Sequence, residues 1–285
     1  MYSVKERGTP NASDYRIYIC NESGPISPFH DIPIWADVKE KTVNMIVEMP
    51  RWTNAKMEVC ISETLNPMKQ DDSGGKLRYV KNCFPYHGIM WNYGSIPQTW
   101  EDTNAIDEVT KCKGDGEPLD IIDIGNRVPK RGEVIEVKVL GILAVIDRNK
   151  TDWKVIGINV DDEMCHRLND VEDIFKEFPD ILTSTKEWLR RYRRVDGKPE
   201  NEFAFNGEAK GRDLALHVID IAHNHWLGLI KDGEEQEEIS CANVTIYESP
   251  FNITVEDALQ TLEASPSLQK PVSLDPSIDK WYFFW

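Results

Sequence analysis

An α+β protein in which β-structure dominates is the fold class this 285-residue sequence predicts, and three observations carry the prediction. Apolar and polar residues alternate through 42–50 (TVNMIVEMP), 133–147 (EVIEVKVLGILAVID) and 152–160 (DWKVIGINV), all rich in Val and Ile. Connections dense in Pro and Gly separate these runs. Helical periodicity is confined to the part of the chain after them.

Taken in order, the run at 42–50 reads as a strand that stops at Pro50. The segment 82–102 (NCFPYHGIMWNYGSIPQTWED) is too rich in Pro, Gly and aromatics for a helix and reads as ordered irregular chain. The next two alternating runs predict a hairpin around RNKT. A helix is expected in NDVEDIFKEFP, opened by an Asn or Asp cap and closed at Pro179, and another in TSTKEWLRRYRRV, opened by a Ser or Thr cap and ending at DGKP. The longest helix is expected from about Gly207 to Ile230, before KDG, with Leu214, Val218, Ile221, Ala222, Trp226 and Leu229 forming a core-facing stripe. Beyond residue 248 the pattern is broken by Pro250, Pro266, Pro271 and Pro276, and the chain ends in WYFFW. Residues 1–285 read as a single domain with a core over 14–247 and a C-terminal appendage over 248–285. An aromatic terminus of this kind is expected to dock on the protein's own surface or on a partner.

Composition narrows the function. Thirty-three basic against 49 acidic residues leave a formal charge of −16, the wrong sign for a protein that binds nucleic acid by neutralising phosphates. No apolar stretch approaches the roughly 20 residues of a membrane helix, and MYSVKERGTP lacks a secretory n-region and h-region, so a cytoplasmic location is expected. Six scattered cysteines match neither a zinc site nor a disulfide scaffold. Neither a GxxxxGK[ST] loop nor GxGxxG or GxSxG occurs, which removes the commonest nucleotide and serine-hydrolase chemistries.

Four groups of residues remain that can carry chemistry. In GDGEPLDIID, Pro118 biases Glu117 towards extended backbone, so Asp115 and Glu117 can point to one side and Asp120 can rejoin them past the turn. Such a cluster is either a solvated acidic turn or a site where a cation offsets the repulsion. In DRNKTDWK, Asp147 closes one strand, and Asp152 and Lys154 share a face of the next, as an ion pair or as part of a site. In EMPRWTNAKMEV, Lys56 and Glu58 fall on one face by the period of two, with Glu48 upstream. Arg78, Tyr93, Tyr192 and Arg193 add donors suited to phosphate oxygens. Together these supply carboxylates for a hard divalent cation such as Mg²⁺ and a ring of Lys, Arg and Tyr for an anion. That combination suits phosphoanhydride hydrolysis and reconciles an acidic protein with an anionic substrate.

The blocks VEMPRWTNAKMEV, LNPMKQD, KLRYVKNCFPYHG, NYGSIPQTWED, KGDGEPLDIIDIG, TDWKVIGINV, LNDVEDI and YRRVDGKPENEFAFNGEAK resemble the eukaryotic-type soluble inorganic pyrophosphatases of family I, from about Asp14 to Tyr247. The resemblance implies a closed OB-like β-barrel flanked by helices, a homodimer, and Mg²⁺-dependent hydrolysis of pyrophosphate by a metal-bridged water, with several ions in the site. It implies that Asp115, Asp120 and Asp152 ligate the tightest metal, that Asp120 also touches the second, and that Asp147, Asp152 and Glu58 serve the metals arriving with substrate. Lys56 and Tyr93 would hold the attacked phosphate and Arg78 and Tyr192 the leaving one, with Glu48 and Lys154 lining the cavity and Arg51, Trp52 and His87 at the dimer interface. Three positions depart from the family pattern. Glu117 stands where aspartate is the expected base, Ile89 replaces a tyrosine near the site, and Arg193 replaces a lysine. The competing expectation, motivated by these departures and the aromatic tail, is an impaired homologue acting as a pyrophosphate-binding or scaffold subunit.

Overall fold

The computed structural model describes residues 1–231 and 238–283. Its strands include β1 (Ser3–Arg7), β2 (Arg16–Cys20), β3 (Thr42–Met49), β4 (Met57–Val59), β5 (Met68–Gln70) and β6 (Asn82–Cys83). They continue with β7 (Asn92–Ser95), β8 (Asp120–Asp123), β9 (Val134–Asp147), β10 (Lys150–Asn159) and, near the end, β11 (Trp281–Tyr282). Four α-helices follow the main strands: α1 (Val171–Glu177), α2 (Ile181–Arg191), α3 (Arg212–Lys231) and α4 (Val255–Ala264). The mainly β, α+β class expected from the sequence is the class observed.

Five strands pair in a circuit. β10 runs parallel to β8, and β8–β7, β7–β3, β3–β9 and β9–β10 are antiparallel. A smaller sheet, β1-β2-β5-β4, lies beside it. Because strand side chains alternate, β8, β9 and β10 each serve two cores. Ile121 and Val155 enter one apolar cluster with α3, while their neighbours Ile122 and Ile156 enter another with α1 and α2.

Two register shifts adjust that alternation. Along β9, Ile135, Val137 and Val139 face the α3 side. After the bulge between Val139 and Gly141 the parity reverses, so Ile142 and Ala144 face that side and Leu143 and Val145 face α1 and α2. A second shift sets Tyr93 opposite Met49 and Gly94 opposite Val47, leaving Glu48 as the extra residue. A Cβ on Gly94 would lie 1.8 Å from the Ile46 carbonyl oxygen, so only glycine permits this approach.

Two helix boundaries differ from the sequence reading. α2 begins at Ile181 after Asp180, which makes no side-chain cap bond, instead of at a Ser or Thr. Packing decides this, since Leu182, Thr185, Trp188 and Leu189 form one buried face that draws the first turn into the helix. α3 starts at Arg212 rather than near Gly207, because Phe205, Asn206 and Gly207 take left-handed backbone angles and Lys210–Gly211 pairs with β9. The KDG stop signal lies partly outside the described residues, and Ile221, expected in the buried stripe, is 41% exposed.

The segment after residue 248 lies against the rest of the chain. α4 opens with a capping box at Thr254 and Asp257 and buries Ala258 and Leu262 in a core shared with β2 and the end of α3. Further on, Gly8 N–H donates to Pro266 O at 2.8 Å and Val272 N–H to Pro10 O at 3.0 Å. β11 pairs in parallel with β6, and Trp281 meets Phe84 and His87 edge-on at 5.9 and 6.2 Å. The last two residues of WYFFW are outside the described residues.

Candidate active site

The circuit strands bring their polar ends to one cavity of about 560 Å³. β8 contributes Asp120, β10 contributes Asp152 and Lys154, β9 ends on Asp147, and β7 supplies Tyr93. Pairing aligns them, since Asp120 stands opposite Lys154 and Asp152 opposite Val145. The strand bulge turns Glu48 inwards, β4 carries Glu58 with Lys56 just ahead of it, and α2 delivers Tyr192 and Arg193 at its C-terminal end. Asp115, Glu117 and Arg78 complete the lining. All thirteen residues named from the sequence as catalytic or metal-ligating candidates therefore meet in one place.

The acidic loop is held from behind. Gly114 N–H donates to Asp102 O, Gly116 N–H to Glu101 O, Glu101 N–H to Glu117 O, and the Trp100 indole N–H to Gly116 O, all at 2.9–3.1 Å. A Cβ on Gly114 would sit 2.2 Å from the Glu101 carbonyl oxygen, so this backing requires glycine. Asp115 Oδ1 accepts from Glu117 N–H at 2.9 Å, which fixes the turn.

The cations of the site are engaged with its carboxylates. Lys154 Nζ contacts Asp120 and Asp152 and donates to Tyr93 Oη at 3.0 Å. Lys56 Nζ bridges Glu58 at 2.7 Å and Asp71 at 2.9 Å, and Asp71 also contacts Arg78. Arg193 is buried against Asp147, and its Nε has no hydrogen-bond partner among the described residues. Tyr192 stacks on Trp188 with ring centroids 4.4 Å apart and planes 4° apart, which sets the direction of its hydroxyl.

Crowded burial shifts the acids. Glu48, whose Oε1 accepts from Val59 N–H at 3.0 Å and Ser95 Oγ at 2.9 Å, is pushed up to about 8 by burial and then by the Asp120 charge. Burial raises Asp152 to about 8 against the opposing pull of Lys154, and raises Asp115 to about 7. Glu117 opens to the water of the cavity, yet the surrounding protein and then Glu58 push it up to about 7. These acids lie where protonation or a cation must relieve repulsion.

Carboxylate oxygens are the donors that hard divalent cations prefer. One oxygen from each of Glu101, Asp115 and Asp152 lies within 4.8 Å of the others, and Glu101 Oε2 is buried without a partner among the described residues. The donor set therefore fits such a cation. Asp120, also expected to hold the cation, contacts Lys154 as Asp152 does.

Sequence reasoning missed Asp71 and Glu101. Asp71 closes LNPMKQD two residues after Lys69, and its role emerges only when the chain folds Arg78 and Lys56 onto it. Glu101 sits in QTWED, an irregular stretch without a period to place it. Ile89 is buried in the wall of an adjoining chamber of about 430 Å³ that shares Tyr93, Lys154 and Tyr192, so this position brings no hydroxyl to them. At the expected interface positions, the Arg51 guanidinium lies 4.7 Å over the Trp52 ring and donates to Gly125 and Asn126 carbonyls. Trp52 is 59% exposed, and His87 Nδ1 lies 3.1 Å from Trp52 O.

A strand circuit whose open end joins carboxylates to Lys, Arg and Tyr donors defines a class suited to cations and phosphate-like anions together. The family model for inorganic pyrophosphatase matches residues 45–227, and the chain belongs to that family. It is 49% identical over 283 residues to an inorganic pyrophosphatase of Homo sapiens, covering 99% of this chain and 97% of that one. It is 47% identical over 282 residues to one of Neurospora crassa, again covering 99% and 97%. The solved inorganic pyrophosphatase of Schistosoma japonicum superposes with a TM-score of 0.95 at 44% identity, covering all of both chains. A truncated Trypanosoma cruzi vacuolar soluble pyrophosphatase, solved in complex with PPi, gives 0.75 at 40% identity over 80% of this chain and 91% of that one. The resemblance read from the sequence is borne out.

Proposed function

We propose that this chain hydrolyses inorganic pyrophosphate to two orthophosphates with Mg²⁺. The observation that carries the reading is the convergence of the acidic loop, the strand-end acids and the Lys, Arg and Tyr donors on one cavity. Whole-length identity to named pyrophosphatases supports the substrate. Asp115, Asp120, Asp152, Asp147 and Glu58 would hold the ions. When bound, such ions acidify water and neutralise charge on the leaving phosphate.

The chain's own residues do the rest. Lys56 and Tyr93 hold the phosphate that is attacked, and Arg78, Tyr192 and Arg193 hold the one that leaves. Glu117 takes a proton from the attacking water as the new P–O bond forms, and the bridging P–O bond breaks with its electrons going to the departing phosphate. Lys154 keeps Asp120 and Asp152 aligned, and Glu48 ties β3 to β4 and β7 through Val59 and Ser95.

The strand circuit is read as a closed OB-like barrel, residues 1–285 as one domain, and the protein as a cytoplasmic homodimer using the Arg51, Trp52 and His87 face. Among the described residues no helix is long and apolar enough to cross a membrane. Phosphate release from pyrophosphate, measured with and without Mg²⁺ for wild type and Asp152→Asn, tests the function. Wild type is expected to turn over only with the cation and the variant to be strongly impaired. Absence of release by wild type overturns the reading.

A further inference from the structure

Glu101 has no task in the reaction described above, yet it is built into the site more tightly than most of its acids. Its main chain is committed to the acidic loop, with N–H donating to Glu117 O and C=O accepting from Gly116 N–H, both at 3.0 Å. Its Oε1 accepts from Trp153 N–H at 3.1 Å, on the strand between Asp152 and Lys154. Only Oε2 is left over. It is buried in a residue 6% exposed and has no hydrogen-bond partner among the described residues.

A buried polar atom without a partner is costly, and a buried carboxylate more so. A cation shared with neighbouring carboxylates would give that oxygen a partner and offset the charge. One carboxyl oxygen from each of Glu101, Asp115 and Asp152 lies within 4.8 Å of the other two. With Mg–O distances of about 2.0–2.1 Å, ligand oxygens of one ion stand about 3 to 4 Å apart. The three carboxyls are thus close to a shared cation's spacing, and a small contraction brings them to it.

We propose that Glu101 is a ligand of the hard divalent cation held by Asp115 and Asp152. This rests on the reading of the cavity as a cation site. The consequence is coupling: the same residue grips the acidic loop through its backbone and the catalytic strand through Oε1, so a cation taken by Oε2 pins loop and strand to each other.

Calorimetric titration of Mg²⁺ into cation-free protein, without pyrophosphate, tests the proposal on wild type, Glu101→Gln and Asp152→Asn. Glu101→Gln keeps an amide oxygen for Trp153 N–H but loses the anionic donor. The expected result is a dissociation constant for the tightest ion raised beyond the about 10- to 100-fold scale of a lost supporting group, with the melting temperature in EDTA not lowered. A Glu101→Gln dissociation constant equal to wild type, with Asp152→Asn impaired, overturns the role of Glu101 and leaves the cation reading standing. If Asp152→Asn also binds as wild type does, the cation reading itself fails. Should Glu101→Gln not fold, Glu101→Asp and Glu101→Asn give the same comparison at matched size. Weaker binding by the Asn form supports the proposal, and equal affinities overturn it.

Discussion

Replacing Glu48 with glutamine should stabilise the cation-free protein, and increasingly so as pH rises. The carboxyl is 4% exposed and moves from its ordinary value of 4.5 to about 8 in the folded chain, by burial first and the Asp120 charge second. Between those values the folded protein holds a proton that the unfolded chain has released, so stability is present below about 4.5 and is lost as pH rises through about 8. At 1.36 kcal/mol per pH unit, the loss between pH 5 and pH 7 is about 2.5 kcal/mol. Glutamine removes that loss, and its amide oxygen can still accept from Val59 N–H and Ser95 Oγ. For a chain of 285 residues the gap is about 4 °C in melting temperature. Differential scanning calorimetry in EDTA at pH 5 and pH 7 measures it. A variant that melts in parallel with wild type across that interval refutes the argument, because the carboxyl would then be ionised without cost.

Three further expectations follow from the site. Lys154→Met removes the shared partner of half-buried Asp120 and Asp152 and is expected to cost about 3–5 kcal/mol in cation-free urea unfolding, with partial recovery in Mg²⁺; an unchanged midpoint would refute the stabilising role of that ion-pair cluster. Glu117→Gln should lower kcat by about 10²–10⁴-fold, the usual contribution of a general base, while Glu117→Asp retains more of the rate. At limiting Mg²⁺, kcat/KM should rise with pH through about 7, because the surrounding protein and then Glu58 raise the water-facing Glu117 and only its ionised form accepts the proton. Raising Mg²⁺ should move that midpoint down, and a midpoint indifferent to the cation would separate Glu117 from the site.

Much of the candidate site was legible because strands write their geometry with a period of two. Lys56 with Glu58, and Asp152 with Lys154, were paired from spacing alone, and each pair makes direct contact. What spacing could not supply was anything requiring the chain to return on itself. Asp71 joins Lys56 and Arg78 only after a turn at 72–77, and Glu101 reaches the acids by running behind a loop it precedes. The α2 start was misplaced for a related reason, since a buried face set by tertiary packing outweighed a good capping sequence. Ile221 kept helical spacing yet faces a cavity beside residues 102–109, because periodicity marks a face without stating what covers it.

The bulge in β9 makes chain length itself a functional variable. Between Gly141 and the hairpin tip the strand behaves as a ruler counted in twos, and Asp147 meets Arg193 only because the count starts after a parity reversal. One residue inserted or deleted in 141–146 would turn Asp147 towards α3 without changing any side chain of the cavity, whereas two would shift it along the strand and keep its face. Single-residue length changes in this stretch should therefore be ones the fold does not tolerate.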